Sequence, residues 1–145
     1  MIREFLITSG LLLALSGCGV PSNPEKGPVV LLCEGEHYLR AGNGTVERQK
    51  ITQFYKVNGL ERSLDTWDGE QQRWMGSTTR ITITPNKISR QDDPMVMGGI
   101  SSIKTISFDR AAGRVHEDFT MSNGGVKTFD GVCKPVASPT EEKKF

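Results

Sequence analysis

The chain predicts an all-β fold: one small antiparallel meander, either a curled sheet or an up-and-down barrel of seven or eight strands. Three observations carry this expectation. Turn signals recur roughly every ten to fifteen residues, the segments between them alternate apolar and polar side chains, and no stretch presents a convincing helical face. A sheet of this size tends to curl, and closure removes exposed edges.

Taken in order, Val29 to Cys33 is apolar on both faces, as expected of a strand covered on both sides. Gly42-Asn43-Gly44 ends the first strand region, and Asn58-Gly59 suits a type I′ turn, which needs positive φ at both central positions. Leu60, Leu64 and Trp67 fall at helical spacing, but Asp68-Gly69 interrupts them. Ser63 to Trp67 pairing with Gln72 to Met75 makes a hairpin instead. Thr79, Ile81 and Ile83 alternate with Arg80, Thr82 and Thr84, the mark of a half-buried strand, and Pro85-Asn86 turns the chain. Asp92-Asp93-Pro94 through Gly98-Gly99 is the longest irregular segment and reads as a loop. Its Met95-Val96-Met97 is either tucked under the sheet or open to a partner. After Ala112-Gly113, Val115, Phe119 and Met121 alternate with His116, Asp118 and Thr120 up to the turn Asn123-Gly124-Gly125. There is no internal repeat.

The first residues are of another kind. Arg3 and the α-amino group supply positive charge, partly offset by Glu4, and Phe5 to Leu15 is an apolar run of eleven residues. A membrane span needs about 20, so the run suits the hydrophobic region of a secretory signal. Leu15-Ser16-Gly17-Cys18 then matches all four positions of a lipobox, and the chain resembles the bacterial lipoproteins in this segment. The resemblance implies removal of residues 1–17 and a lipid anchor on Cys18. That anchor would be a thioether-linked diacylglyceride, usually with a further acyl chain such as palmitate on the amine. Each buried methylene contributes about 0.8 kcal/mol, and two chains give stable anchoring. Gly19 stands where enterobacterial lipoproteins retained at the inner membrane carry Asp. The expected address is the outer membrane, facing the periplasm.

Residues 18–28 contain three prolines among small and polar residues and read as a flexible tether. Residues 135–145, with two prolines and a Glu-Glu-Lys-Lys run, read as a disordered tail. Between them, 29–134 is enough for one core but not two. The 18 basic against 17 acidic residues argue for no nucleic-acid partner. With Cys18 assigned to lipid, Cys33 and Cys133 remain, and an exported domain with two thiols is expected to bridge them. They lie far apart in sequence, unlike a redox pair. The loop so closed spans 100 residues, worth about 4.7 kcal/mol in the chain-entropy model.

Candidate chemistry is sparse. Glu34, Glu36 and His37 are near in sequence, but strand geometry sends the carboxylates to one face and the imidazole to the other, so no metal site is expected. His116 likewise points away from Glu117. No nucleophile elbow accompanies the serines, and no glycine-rich phosphate loop opens a helix. Asp92-Asp93 beside Pro94 fits a turn. The expectation is a non-enzyme without cofactors. Glu117 occupies an apolar register between Val115 and Phe119, as does Arg62 between Leu60 and Leu64. A buried carboxylate needs a partner, so these two form a candidate buried ion pair, with local exposure of both as the alternative. Tyr55, Trp67 and Trp74 suit core packing, the commoner use of aromatic residues, or the lining of a ligand cavity.

Two functions remain. In layout the chain resembles the membrane-bound lysozyme inhibitors of the C-type class: a lipobox, about 100 residues of β-structure, and cysteines near both ends. That resemblance implies a binding or inhibitory module of the cell envelope, with an envelope protein as partner. It carries no site residue across, because that family's inhibitory loop motifs have no match here. The alternative is a carrier barrel for a small apolar ligand or lipid, although the Gly-x-Trp signature of many lipocalins is lacking. An inhibitor is expected to present a protruding loop, Arg90 to Gly99, over a filled interior. A carrier is expected to enclose a cavity.

Overall fold

The structure, a computed structural model, describes residues 22–139. The signal segment, Cys18 and the last six residues therefore lie outside the described residues. Ten antiparallel strands form a single sheet: β1 (Pro28–Arg40), β2 (Val46–Asn58), β3 (Ser63–Asp68), β4 (Arg73–Met75), β5 (Thr82–Ile83), β6 (Lys87–Gln91), β7 (Met95–Met97), β8 (Ile100–Asp109), β9 (Arg114–Met121) and β10 (Val126–Val136). Their spatial order is β4-β3-β2-β1-β10-β9-β8-β6-β5, with β7 pairing the first residues of β8. The sheet curls strongly into a half-barrel. Ten strands stand where seven or eight were expected, and the strand met where a loop was expected is β7, whose three residues are too few to show alternation in the sequence. The hairpin of Ser63 to Trp67 with Gln72 to Met75 is present, with Trp67 opposite Trp74. Of the alternating stretch Thr79 to Thr84, only Thr82 and Ile83 pair as a strand.

The first and last long strands lie side by side at the centre of the sheet, and Cys33 faces Cys133 across them with Cα atoms 4.0 Å apart in a disulfide. Two residues further along β1, Gly35 faces Gly131. A Cβ on Gly35 would lie 1.9 Å from the Asp130 carbonyl oxygen. The two backbones approach so closely that only glycine fits, and this absence of side chains lets the long strands bend.

The open edges of the curl, β3–β4 on one side and β5–β6 on the other, are stitched by side chains and single backbone contacts. The Ile81 N–H donates to the Arg62 carbonyl at 3.0 Å. The Arg90 guanidinium crosses from β6 to donate to the Leu64 carbonyl on β3. Inside the curl, Cys33, Tyr55, Val57, Leu64, Ile81, Ile88, Ile106, Phe108, Val115 and Phe129 form one buried cluster. The Tyr55 and Phe108 rings meet edge to face across it, with centroids 5.2 Å apart.

Two ends can be distinguished. The base holds the start of β1, the end of β10 and the turns at Asn58–Arg62, Pro85-Asn86 and Asp109–Gly113. The distal end holds the turns at Ala41–Thr45, Gly98-Gly99 and Ser122–Gly125. The stretch expected to be a free tether is docked at the base from residue 23. Pro24–Lys26 form a 3-10 turn, with the Asn23 side chain accepting from the Glu25 N–H at 3.0 Å. Pro24 is buried and its carbonyl accepts from the Gly59 N–H at 2.8 Å, while Glu25 pairs with Arg110 at 3.0 Å. A proline that finds an apolar seat and an N-capping asparagine outweigh the loop-like composition. The other boundary moves too: Pro135 and Val136, expected in the tail, extend β10 opposite Leu31 and Val30. The missing proline N–H is tolerated so near the strand end.

Candidate functional site

Within the half-barrel a polar layer lies above the apolar core. Glu117 does face inward, as its register between Val115 and Phe119 predicts, but its partner is not Arg62. Its carboxylate accepts from the Tyr55 hydroxyl at 2.9 Å and pairs with Lys104 Nζ at 3.0 Å. Arg62 is exposed in the β2–β3 turn at φ 54°, where alternation no longer applies, so the expected ion pair is absent. The buried arginine is Arg90, 6% exposed, which holds both Asp92 oxygens, Nε to Oδ1 at 2.8 Å and Nη2 to Oδ2 at 3.0 Å. The Ser77 hydroxyl donates to the same carboxylate at 2.9 Å. Sequence reasoning assigned Asp92 to a turn and overlooked Arg90. The signal was there: Arg90 follows Ile88 at strand spacing and so shares its inward face.

Electrostatics follow from burial. Burial, and next the adjacent Glu117 carboxylate, push the Tyr55 phenol far above its ordinary range. On β1, His37 faces inward opposite Phe129, on the other face from Glu34 and Glu36 as strand geometry predicts. Burial and the nearby Lys127 ammonium lower its pKa, with Glu117 and Glu47 opposing.

Above this layer the distal end carries the largest change from expectation. The segment Met95 to Gly99 is not an irregular loop. Met95, Val96 and Met97 form β7 and pair with Ser102, Ser101 and Ile100, closed by Gly98 and Gly99 at φ 57° and 78°. Both values lie in the left-handed region that glycine occupies without strain, so the two glycines make a tight two-residue turn. Pro94, lacking an N–H, separates β7 from β6. From Pro94 to Ile103 the chain carries no charge. Met97 is 72% exposed, Val96 67% and Met95 55%, and Ile100 is also exposed. Because Ile100 and Ser102 continue the inward face of β8, Met95, Met97 and Ile100 share the concave side. They form an apolar lip beside Met121, which faces Ser102 across β8 and β9.

Other candidates resolve into structure. Trp67 and Trp74 stack edge to face at 5.2 Å on the convex side, with Lys56 Nζ 5.0 Å from the Trp74 ring centre. A cavity of about 180 Å³ at the base, between Val29, Leu31, Val57, Ile88 and Phe108, is smaller than ordinary ligand sites. On the convex face Ser107, His116 and Asp130 stand opposite one another on β8, β9 and β10, with His116 Nδ1 2.7 Å from Asp130 Oδ1. The row resembles a catalytic triad only in composition. β8 is paired on both sides there, so its backbone N–H groups are committed to the ladder and offer no oxyanion donors. Among the described residues no group of His, Cys, Asp and Glu could hold a metal ion. No known family model matches the chain, and no curated protein matches it.

Proposed function

We propose that the protein is a lipid-anchored module of the cell envelope that binds, or blocks, a protein partner through the β7–β8 hairpin. One observation carries this reading: a paired, charge-free hairpin holds Met95, Val96, Met97 and Ile100 in solvent. Exposed apolar groups so concentrated lower solubility, and they mark interaction sites in soluble domains. Methionines adapt their shape to a partner cleft at little conformational strain. The interior favours binding at the rim over carriage inside, because Tyr55 and Phe108 fill the middle of the curl. Export and the Cys18 anchor rest on the lipobox resemblance, and the layout shared with C-type lysozyme inhibitors makes lysozyme the first partner to try.

The test is a photo-crosslinking residue in place of Val96 in the lipidated protein, expressed in its own cell. A discrete protein adduct is expected, and Met95→Ser with Met97→Ser should weaken its yield at least tenfold. Adducts with lipid alone, or a protein adduct indifferent to those substitutions, would overturn the reading. In parallel, lysozyme activity unaffected by the purified domain removes that enzyme as the target.

A further inference from the structure

We infer that the base of the half-barrel is a membrane-seating surface, resting on anionic phospholipid and holding the apolar hairpin away from the bilayer. The inference rests on the lipid anchor proposed for Cys18 and deepens it. Four residues, Gly19 to Ser22, separate Cys18 from Asn23, where the chain is already fastened to the base. At roughly 3.3–3.6 Å per residue, that leash reaches about 17 Å at most. β1 alone has 13 residues, about 43 Å at 3.3 Å each. The leash is thus less than half the length of the domain, too short for the base to turn away from the bilayer while the distal end approaches it.

The base also has the chemistry of a lipid contact. Leu60, 69% exposed, projects from the β2–β3 turn beside the docked Pro24 carbonyl. Lys26, Arg62, Lys87 and Arg114 are exposed at the same end and form no ion pair among the described residues. The acidic groups nearby are fewer. Glu25 is held by Arg110, which leaves the Glu61 and Asp109 carboxylates, two against four cations. An apolar side chain among cations, held close to a bilayer, matches an interface of anionic headgroups, and the attraction falls off over a Debye length of about 8 Å. The leash, about two such lengths at full stretch, lets the cations come within that range.

The experiment places a polarity-sensitive fluorophore on Leu60→Cys or on Met97→Cys in the full lipidated chain. Cys33 and Cys133 are bonded and Cys18 is acylated, so the introduced thiol is the one labelled. The protein is reconstituted in vesicles of phosphatidylglycerol and phosphatidylethanolamine, one to three, carrying nitroxide-labelled lipid. Quenching several-fold stronger at position 60 than at 97 is expected. It should weaken when Lys26, Lys87 and Arg114 are all changed to Gln, and when the vesicles are phosphatidylcholine alone. A water-exposed probe at 60, or equal or stronger quenching at 97, overturns the seating. The intact mass of the same preparation separates the two readings. Acylated Cys18 with an unquenched probe at 60 sinks the seating alone, whereas unmodified Cys18 sinks the anchor and the seating together.

Discussion

Glu117, Tyr55 and Lys104 show how one inward carboxylate is kept in a half-barrel: a hydroxyl and an ammonium, each from a different strand, meet it within 3.0 Å. Because burial and Glu117 raise the Tyr55 pKa, the phenol contributes stability that is intact below its unfolded value of about 10 and falls as pH rises beyond it. Tyr55→Phe should therefore flatten the alkaline loss of stability, as followed by urea midpoints between pH 9 and 11. His37 acts with the opposite sign. Its lowered pKa means that the unfolded chain takes up the proton more readily, so its contribution is present above the ordinary imidazole value of about 6.5 and lost as pH falls below it. His37→Gln should remove that part of the acid dependence. Arg90 is costly to lose. Arg90→Met would strand the Asp92 carboxylate and the Leu64 carbonyl, a loss of about 3 kcal/mol. A double-mutant cycle with Asp92→Asn should show strong coupling, and additive losses would refute the pair. At this scale the sequence is legible only where strand alternation holds. Glu117 lies within a regular strand, whereas Arg62 sits in a turn whose left-handed backbone erases the register.

At the scale of elements, β1 and β10 owe their bend to Gly35 and Gly131. Gly35→Ala should cost about 3 kcal/mol, because its Cβ would press on backbone that cannot rotate aside. The β7–β8 hairpin should behave differently. Met95→Ser and Met97→Ser remove exposed side chains, so the unfolding free energy from urea titration should hold to within about 0.5 kcal/mol while partner capture is lost. Its location was visible in the sequence as a charge-free, glycine-closed segment. Its pairing was not, because three residues are too few for alternation to register and Pro94 masks the continuity with β6.

Over the whole molecule, the disulfide and the docked N-terminal turn act on chain entropy and orientation. Reducing Cys33–Cys133, or replacing both with Ala, should lower stability by up to about 4.7 kcal/mol, read from denaturant midpoints with and without reductant. The sheet order places that bridge at the centre, between paired β1 and β10, while the open seam lies between β3–β4 and β5–β6. The disulfide between the first and last long strands therefore does not close the curl. The seam instead falls where short strands fail to pair.

The amino-acid sequence by itself determined the strand class, most of the turns, the inward face of β9 and the pairing of two cysteines, because each depends on neighbours within a few residues or on counting. Only the tertiary structure decided which partner Glu117 takes, that Arg90 is buried, that residues 23–28 are fastened to the base, and that the apolar hairpin stands at the far end. Those outcomes depend on which strands become neighbours across the curl, and strand order is settled by long-range packing that local alternation does not encode.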